Sequence, residues 1–310
     1  MGNIFLSPKT AQSIDEKVAK VLSDLGNPEP PLSLNVVREL LRLDKGYYSS
    51  TDHGLLREVV HRMRVAGKQI IKRPTILADV IKKRRLHALW LPDGKRILID
   101  RDMPSLKQRW GEAHEIGHSI VPWHEWLSHG DHKRTLSYAC EQKIEAEANY
   151  AAGRLLFLRG RFAEELQSST VSFQKLRILG RKYGNSITST LWRAIESLDI
   201  PAFALVSIHP QSPRQNGISP VRYFLRSESF AEAFSDVNEM DLFQMLGGFC
   251  FGKRGPIGTE EVLIKSSNNV DHVFLVECFY NHYDALTLGI LQKLHAVSVT
   301  VNSEPGRDAR

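Results

Sequence analysis

The residues with the clearest chemical potential are two histidines and a glutamate in the segment His114-Glu115-Ile116-Gly117-His118. In a helix, residues i and i+4 lie on the same face, so the two imidazoles could bind one Zn²⁺ together. Glu115 would then lie beside the open coordination position, where it can take a proton from the attacking water. The pattern is short enough to occur by chance, and the alternative is a surface helix with two ordinary histidines.

A catalytic zinc needs a third protein ligand, and two residues are candidates. Glu145 is followed one helical turn later by Asn149. This matches a carboxylate ligand with a polar neighbour that orients a histidine ligand. His124 gives the spacing H-E-x-x-H-x5-H, but that signature needs a glycine where this chain has Val121. Glu145 is therefore the predicted third ligand, and Asn149 is predicted to support a histidine.

Two further sets of polar residues lie near these candidates. Glu147 lies about 200° around the helix from Glu145, so we expect it to face solvent or to support a ligand, and its removal to be mild. The remaining histidines after the motif, His124, His129 and His132, are interpreted as a polar loop.

The candidate ligands must be carried by two helices that pack together. Apolar residues at 113, 116 and 120 predict a buried helix that ends at Val121-Pro122. A second helix is predicted from Ser137 to about Phe157. Its small residues would allow close approach to the first helix, and its predicted buried face comprises Ile144, Ala148, Ala151, Ala152 and Leu155.

The segments before the motif predict helices and one hairpin. Helical spacing runs over residues 10–45, with a stop at residues 26–28 and a second helix whose apolar face is Val36, Val37, Leu40 and Leu41. Residues 55–72 are also predicted to be helical, and the basic run 82–85 is interpreted as a solvated face. Residues 86–91 and 95–100 flank an Asp-Gly turn and predict a hairpin, whose strand could hold an extended substrate.

The second half of the chain changes in character. Residues 171–198 predict two helices around a Gly-Asn turn, with Ser186 as N-cap, in a shape similar to a helix-turn-helix. A plain helical hairpin is preferred there over a DNA contact. From residue 200, three β-like runs (202–208, 221–225 and 273–279) accompany a helical stretch, 229–245, and a closing helix, 285–294. These predict a separate α+β domain.

Composition narrows the class of protein. The 310 residues are 42% hydrophobic and 25% charged, as in ordinary globular proteins. No apolar run reaches the roughly 18 residues that a membrane span needs. The N-terminus lacks a secretory signal, and three widely spaced cysteines form no disulfide framework, so a cytoplasmic location is expected. The formal charge of +6 permits an acidic partner without requiring one.

Two motifs carry a family resemblance. The run A-H-E-I-G-H (113–118), followed by E-A-E-A-N-Y-A-A (145–152), resembles the ImmA/IrrE family of bacterial and phage zinc metallopeptidases. The family pattern is A-H-E-[IL]-G-H and then E-x-x-A-[ND]-x-[FY]-A. The run Arg154-Leu155-Leu156-Phe157 departs from the usual Leu-Leu-Met-Pro ending. The resemblance covers residues 10 to 200.

The resemblance implies a cytoplasmic zinc endopeptidase that cleaves a helix-turn-helix repressor in a stress or mobile-element response. His114, His118 and Glu145 would bind Zn²⁺, Glu115 would be the general base, and Asn149 would support the site. The implied α+β architecture is a mainly helical, zincin-like (gluzincin-type) domain with a small sheet (1–165), a helix-turn-helix-like segment (166–199), a GAF-like sensor or recruitment domain (200–302) and a loose tail (303–310). The alternatives are a non-cleaving sensor and a DNA-binding regulator that uses residues 171–198.

Overall fold

The computed structural model describes residues 3–48, 88–91, 95–124, 138–213 and 218–292. The fold is mixed α+β, with a three-stranded sheet and a five-stranded sheet. The helices in these ranges are α1 (Pro8–Asp24), α2 (Leu34–Leu41), α3 (Ser105–Ile120), α4 (Tyr138–Leu156), α5 (Gly160–Gln167), α6 (Phe173–Tyr183), α7 (Ile187–Glu196), α8 (Glu228–Ala233) and α9 (Glu239–Leu246). The strands are β1 (Asp44–Tyr48), β2 (Ala88–Leu91), β3 (Arg96–Asp100), β4 (Ala202–Ser207), β5 (Val221–Arg226), β6 (Gly255–Lys265), β7 (Asp271–Tyr280) and β8 (Ala285–Leu291).

The N-terminal helices follow the predicted pattern with one exception. In α1 the Ser7 hydroxyl caps the helix by accepting a hydrogen bond from the Thr10 amide at 3.2 Å. The predicted apolar face is buried: Ile14, Val18, Val21 and Leu22. In α2 the predicted face is only half right. Val37 is buried and Leu41 packs against the core, but Val36 and Leu40 are exposed and Leu34 is buried in their place. The predicted helix over 55–72 and the basic run 82–85 lie outside the described residues.

The three-stranded sheet has the order β1-β3-β2. Strands β2 and β3 pair antiparallel, as the predicted hairpin requires, while its Asp-Gly turn lies outside the described residues. Strand β1 lies parallel to β3 on its other side. Helix α3 packs closely on this sheet, since a Cβ added at Gly111 would lie 3.2 Å from the Ala88 Cβ. The sheet therefore supports the helix that carries the histidine motif.

Helices α3 and α4 approach each other unusually closely at Gly117. A Cβ added there would lie 2.6 Å from the Ala148 carbonyl oxygen and 3.3 Å from the Ala151 Cβ. The predicted buried face of α4 is confirmed at 148, 151, 152 and 155, whereas Ile144 is only half-buried. Small residues on both helices thus allow the close packing that the sequence predicted.

Helices α6 and α7 form the predicted pair. Gly184 ends α6 with φ 67°, in the left-handed region that glycine adopts readily. The Ser186 hydroxyl caps α7 by accepting from the Ser189 amide at 3.1 Å, as predicted. Phe173, Leu176 and Leu179 of α6 are buried, whereas Ile178 is exposed.

The five-stranded sheet is antiparallel, in the order β5-β4-β8-β7-β6. The helix predicted over 285–294 is wrong, because residues 285–291 form the central strand β8. Both faces of β8 are covered, so its sequence is a continuous apolar run that periodicity cannot distinguish from a buried helix. Strand β6 was not predicted, because it is an edge strand with charged, exposed residues such as Glu260. The single helical stretch predicted over 229–245 is two helices, α8 and α9.

The two halves of the chain share one hydrophobic core. This core runs from α1 through α3 and α4 to α6 and α7, and includes Ala204, Val206 and Leu288 on one face of the five-stranded sheet. A second core, rich in phenylalanine, joins the opposite face to α8 and α9 through Phe203, Phe230 and other residues. Within the described ranges, no helix combines the length and apolar character that a membrane crossing requires. The domain boundaries at 165/166 and 199/200 stay predictions.

Candidate metal centre

Three predicted ligands, His114, His118 and Glu145, converge between α3 and α4. One ligand atom from each lies within 4.8 Å of the others. The Nε2 atoms of His114 and His118 are 3.1 Å apart. The Glu145 carboxylate oxygens lie 3.1 Å from the His114 Nε2 and 3.7 Å from the His118 Nε2. Tetrahedral zinc with bonds of about 2.0–2.2 Å separates its ligand atoms by about 3.3–3.6 Å, so this triangle fits the ion to within a few tenths of an ångström.

The site is buried at the histidines and open at the glutamate. The side chains of His114 and His118 are 16% and 13% exposed, whereas that of Glu145 is 52% exposed. Glu115, the predicted base, is buried at 7% exposure on α3. A site of this kind admits a ligand from the Glu145 side while the helices hold its deeper half.

Asn149 contacts a candidate ligand as the sequence predicted. Its Oδ1 lies 3.0 Å from the His114 Nδ1, one turn of α4 beyond Glu145. If the Nδ1 of His114 donates this hydrogen bond, its Nε2 keeps the lone pair that a metal needs. The amide therefore selects the metal-binding tautomer of His114.

The second histidine has a partner that sequence reasoning missed. The His118 Nδ1 lies 3.0 Å from the His124 Nδ1, and the His124 Nε2 lies 2.9 Å from the Glu147 Oε2. The same carboxylate oxygen accepts a hydrogen bond from the Trp123 Nε1 at 2.6 Å. His124 and Glu147 are 1% and 3% exposed, so the polar loop expected at His124 is wrong. Of the two expectations for Glu147, exposure to solvent is wrong, whereas its contact with His124, the partner of His118, agrees with support of a ligand.

These expectations failed because the contacts of His124 and Glu147 depend on tertiary structure. Glu147 is buried because the chain after α3 folds Trp123 and His124 against α4, across 23 residues of sequence. Both nitrogens of His124 face other side chains, which favours Glu145 over His124 as the third ligand. A Trp-His pair directly after the motif helix was the sequence signal available. His129 and His132 lie outside the described residues.

The local electrostatics favour the metal-binding forms of two ligands. Burial, together with the neighbouring His114, lowers the pKa of His118 to about 3, so this imidazole is neutral. Burial opposes ionisation of Glu145, but the hydrogen bond with His114 and the nearby imidazoles outweigh it and lower the pKa of this carboxyl. Neutral imidazole and ionised carboxylate are the forms that bind a metal.

The pKa of His114 is raised, in contrast to that of His118, because His114 has carboxylates nearby. Burial disfavours its charged form, but the Glu145 hydrogen bond and the charge of Glu115 outweigh burial and raise the pKa of His114. The charges of Glu145 and Glu115 therefore favour a cation at His114, whether a proton or a metal ion.

A buried ion cluster fixes the N-terminal half of α3. Glu112 is 5% exposed, and its carboxylate accepts from the Arg38 Nε and the Lys45 Nζ, each at 2.6 Å. These partners belong to α2 and β1, so the cluster ties three elements together two residues before His114. On α4, Tyr150 and Arg154 both hydrogen-bond Asp15 of α1. Both metal-bearing helices are thus anchored outside the site.

Comparisons with known proteins find one partial sequence match and one solved structure of similar fold. No family model matches the chain. It is 29% identical over 128 residues to the "Radiation response metalloprotease IrrE" of Deinococcus radiodurans. The match covers 41% of this chain and 39% of that protein, so the chain matches about two fifths of the relative's length. This similarity supports the resemblance to the ImmA/IrrE family found in the sequence motifs.

A solved structure has a similar overall fold. The "Mycobacterium tuberculosis transcriptional regulator" aligns with a TM-score of 0.54 and 12% identity, over 90% of this chain and 76% of that one. At this identity the likeness concerns the fold alone. The structural alignment covers more of this chain than the 128-residue sequence match to IrrE does.

Proposed function

We propose that this chain is a zinc-dependent endopeptidase that cleaves a protein substrate. The observation that carries the proposal is the triangle formed by His114, His118 and Glu145, with Glu115 buried on the same helix as the histidines. Three ligands that leave one coordination position open are the pattern of catalytic zinc rather than structural zinc.

Each residue then has a definite part in peptide hydrolysis. When bound, zinc supplies Lewis-acid polarisation of the scissile carbonyl and makes the attacking water more acidic. Glu115 accepts the proton from that water and returns it to the leaving amine. Asn149 holds the His114 ring through its Nδ1. The half-exposed Glu145 marks the open side of the site, through which the substrate reaches it.

The substrate class follows from the small sheet and from the family resemblance. Among the described strands, β2 forms one edge of this sheet and packs against α3, which carries the histidines. An extended peptide could pair with such an edge and pass the site. The ImmA/IrrE resemblance adds a helix-turn-helix repressor as the proposed substrate and a stress or mobile-element response as its setting. Residues 200–302 would serve as a GAF-like sensor or recruitment domain.

A DNA-binding role for residues 171–198 receives less support. Within α7, the counterpart of a recognition helix, Glu196 is the only exposed residue. The basic residue of α7, Arg193, is 5% exposed and lies 3.3 Å from the Glu196 carboxylate. A recognition helix needs a free face that fits the major groove. Strands β4 and β5 pack against this helix instead.

The test measures metal and cleavage separately. The purified chain should bind about one zinc per molecule, and Glu115→Gln should bind it equally well. The substrate to be tested is a helix-turn-helix protein encoded beside this gene, if the genome has one. The wild type should cut it, and the Gln variant should cut it at least about 10²-fold more slowly. A wild type that binds no zinc contradicts the proposal. Zinc binding without cleavage of that protein favours the non-cleaving sensor.

A further inference from the structure

The orientation of His118 depends on side chains outside the ligand triangle. Its Nε2 faces the triangle, 3.1 Å from the His114 Nε2, so this nitrogen must keep its lone pair to bind a metal. The single ring hydrogen of the neutral imidazole must then lie on Nδ1. That nitrogen lies 3.0 Å from the His124 Nδ1, which must accept the hydrogen bond.

The same reasoning fixes the tautomer of His124. Because its Nδ1 accepts from His118, its own hydrogen must lie on Nε2. That nitrogen lies 2.9 Å from the Glu147 Oε2, a carboxylate oxygen that can only accept. Each contact therefore permits one placement of hydrogen. The hydrogen bonds from the Glu147 carboxylate through His124 to His118 are thus compatible with one another, and they leave the lone pair of the His118 Nε2 free for a metal.

Glu147, the last residue of this hydrogen-bonded series, is held in a fixed position. Glu147 and His124 are almost fully buried, and a buried carboxylate is unfavourable unless its oxygens accept hydrogen bonds. The Trp123 indole donates one at 2.6 Å, beside the one from His124. The carboxylate is thus a fixed acceptor in α4, and it sets which way the His124 ring donates.

We propose that Glu147 and His124, with Trp123, form a positioning relay that holds His118 in the tautomer and orientation that binds the metal. This inference rests on the proposed zinc site and assigns a task to three residues outside the ligand set. On the other ligand, the Asn149 Oδ1 performs the same task at the His114 Nδ1. The two histidines are thus oriented from α4 by different means.

The experiment compares zinc affinities of the full-length chain by competition with a chromophoric chelator. Glu147→Met and His124→Phe keep the approximate size of the buried side chains and remove the relay atoms. Each should weaken zinc binding by about 10- to 100-fold. Glu147→Gln should stay within a few-fold of the wild type, because its amide oxygen accepts from both donors. The exposed Lys143 of α4 supplies a matched control in Lys143→Ala, which should leave the affinity unchanged.

Two further measurements separate positioning from general stability. The visible absorption of the Co²⁺-loaded chain should change in the Met and Phe variants and stay as in the wild type for Glu147→Gln. The double variant should bind zinc no more weakly than the weaker single variant, because Glu147 acts through His124.

The inference is overturned if the Met and Phe variants unfold at lower temperature but bind zinc with wild-type affinity. It is also overturned if the two losses add, or if Gln is no better than Met at position 147. If the wild type binds no zinc, the proposed function itself is refuted. If the wild type binds zinc and the variants bind it equally well, only the positioning relay is refuted and the proposed function stands.

Discussion

The close approach of α3 and α4 at Gly117 gives a sharp prediction for Gly117→Ala. The added Cβ would lie 2.6 Å from the Ala148 carbonyl oxygen, which belongs to the backbone and cannot rotate away. Ordinary contact begins at 3.4 Å, so the two helices must separate by about 0.8 Å. His114 and His118 lie on one of these helices and Glu145 on the other.

The expected magnitude combines two opposing effects. Overpacking of this kind costs about 1–3 kcal/mol, while replacing glycine by alanine within a helix returns up to about 1 kcal/mol. The variant should therefore lose about 1–2 kcal/mol of unfolding free energy. Metal–ligand distances tolerate only about 0.2 Å, so the same separation should weaken zinc binding by roughly 10-fold or more.

The matched control is Gly153→Ala, the same change within α4. There the nearest atom to the added Cβ is the Arg193 Cδ at 3.9 Å, which is ordinary contact. This variant should be about 0.5–1 kcal/mol more stable than the wild type and should keep its zinc affinity. Urea unfolding and zinc competition measure both quantities. If Gly117→Ala matched Gly153→Ala in stability and zinc affinity, the close-packing argument would be refuted.

Three further variants test other parts of the structure. Glu145→Ala should lose zinc measured by elemental content, because two histidines alone hold it weakly, and retention of the metal would contradict the ligand set. In Gly289→Ala the added Cβ would lie 2.1 Å from the Phe203 ring. This variant should therefore lose roughly 3 kcal/mol of unfolding free energy, and an unchanged urea midpoint would contradict this packing. Ser186→Ala removes the α7 cap. It should cost about 1 kcal/mol in the same assay, and no loss would show that the cap contributes nothing.

The sequence by itself determined the features that depend on local spacing. The histidines share a face because helical period puts i and i+4 together, and the apolar residues around them predict a buried helix. The relation between Glu145 and Asn149 is of the same kind, one turn apart on α4. The cap at Ser186 and the hairpin before the motif also follow from short-range rules. The structure has each of these features where the sequence predicted it.

Tertiary structure alone decided which residues outside these motifs meet. Nothing in the spacing around Glu147 shows that Trp123 and His124 cover it, because that contact depends on how the chain folds after α3. The strand β8 was mistaken for a helix for a related reason. Burial on both faces removes the alternation that would distinguish a strand, and only pairing with β4 and β7 settles its conformation. Local periodicity reports one exposed and one buried face, so it carries no information where neighbours cover both.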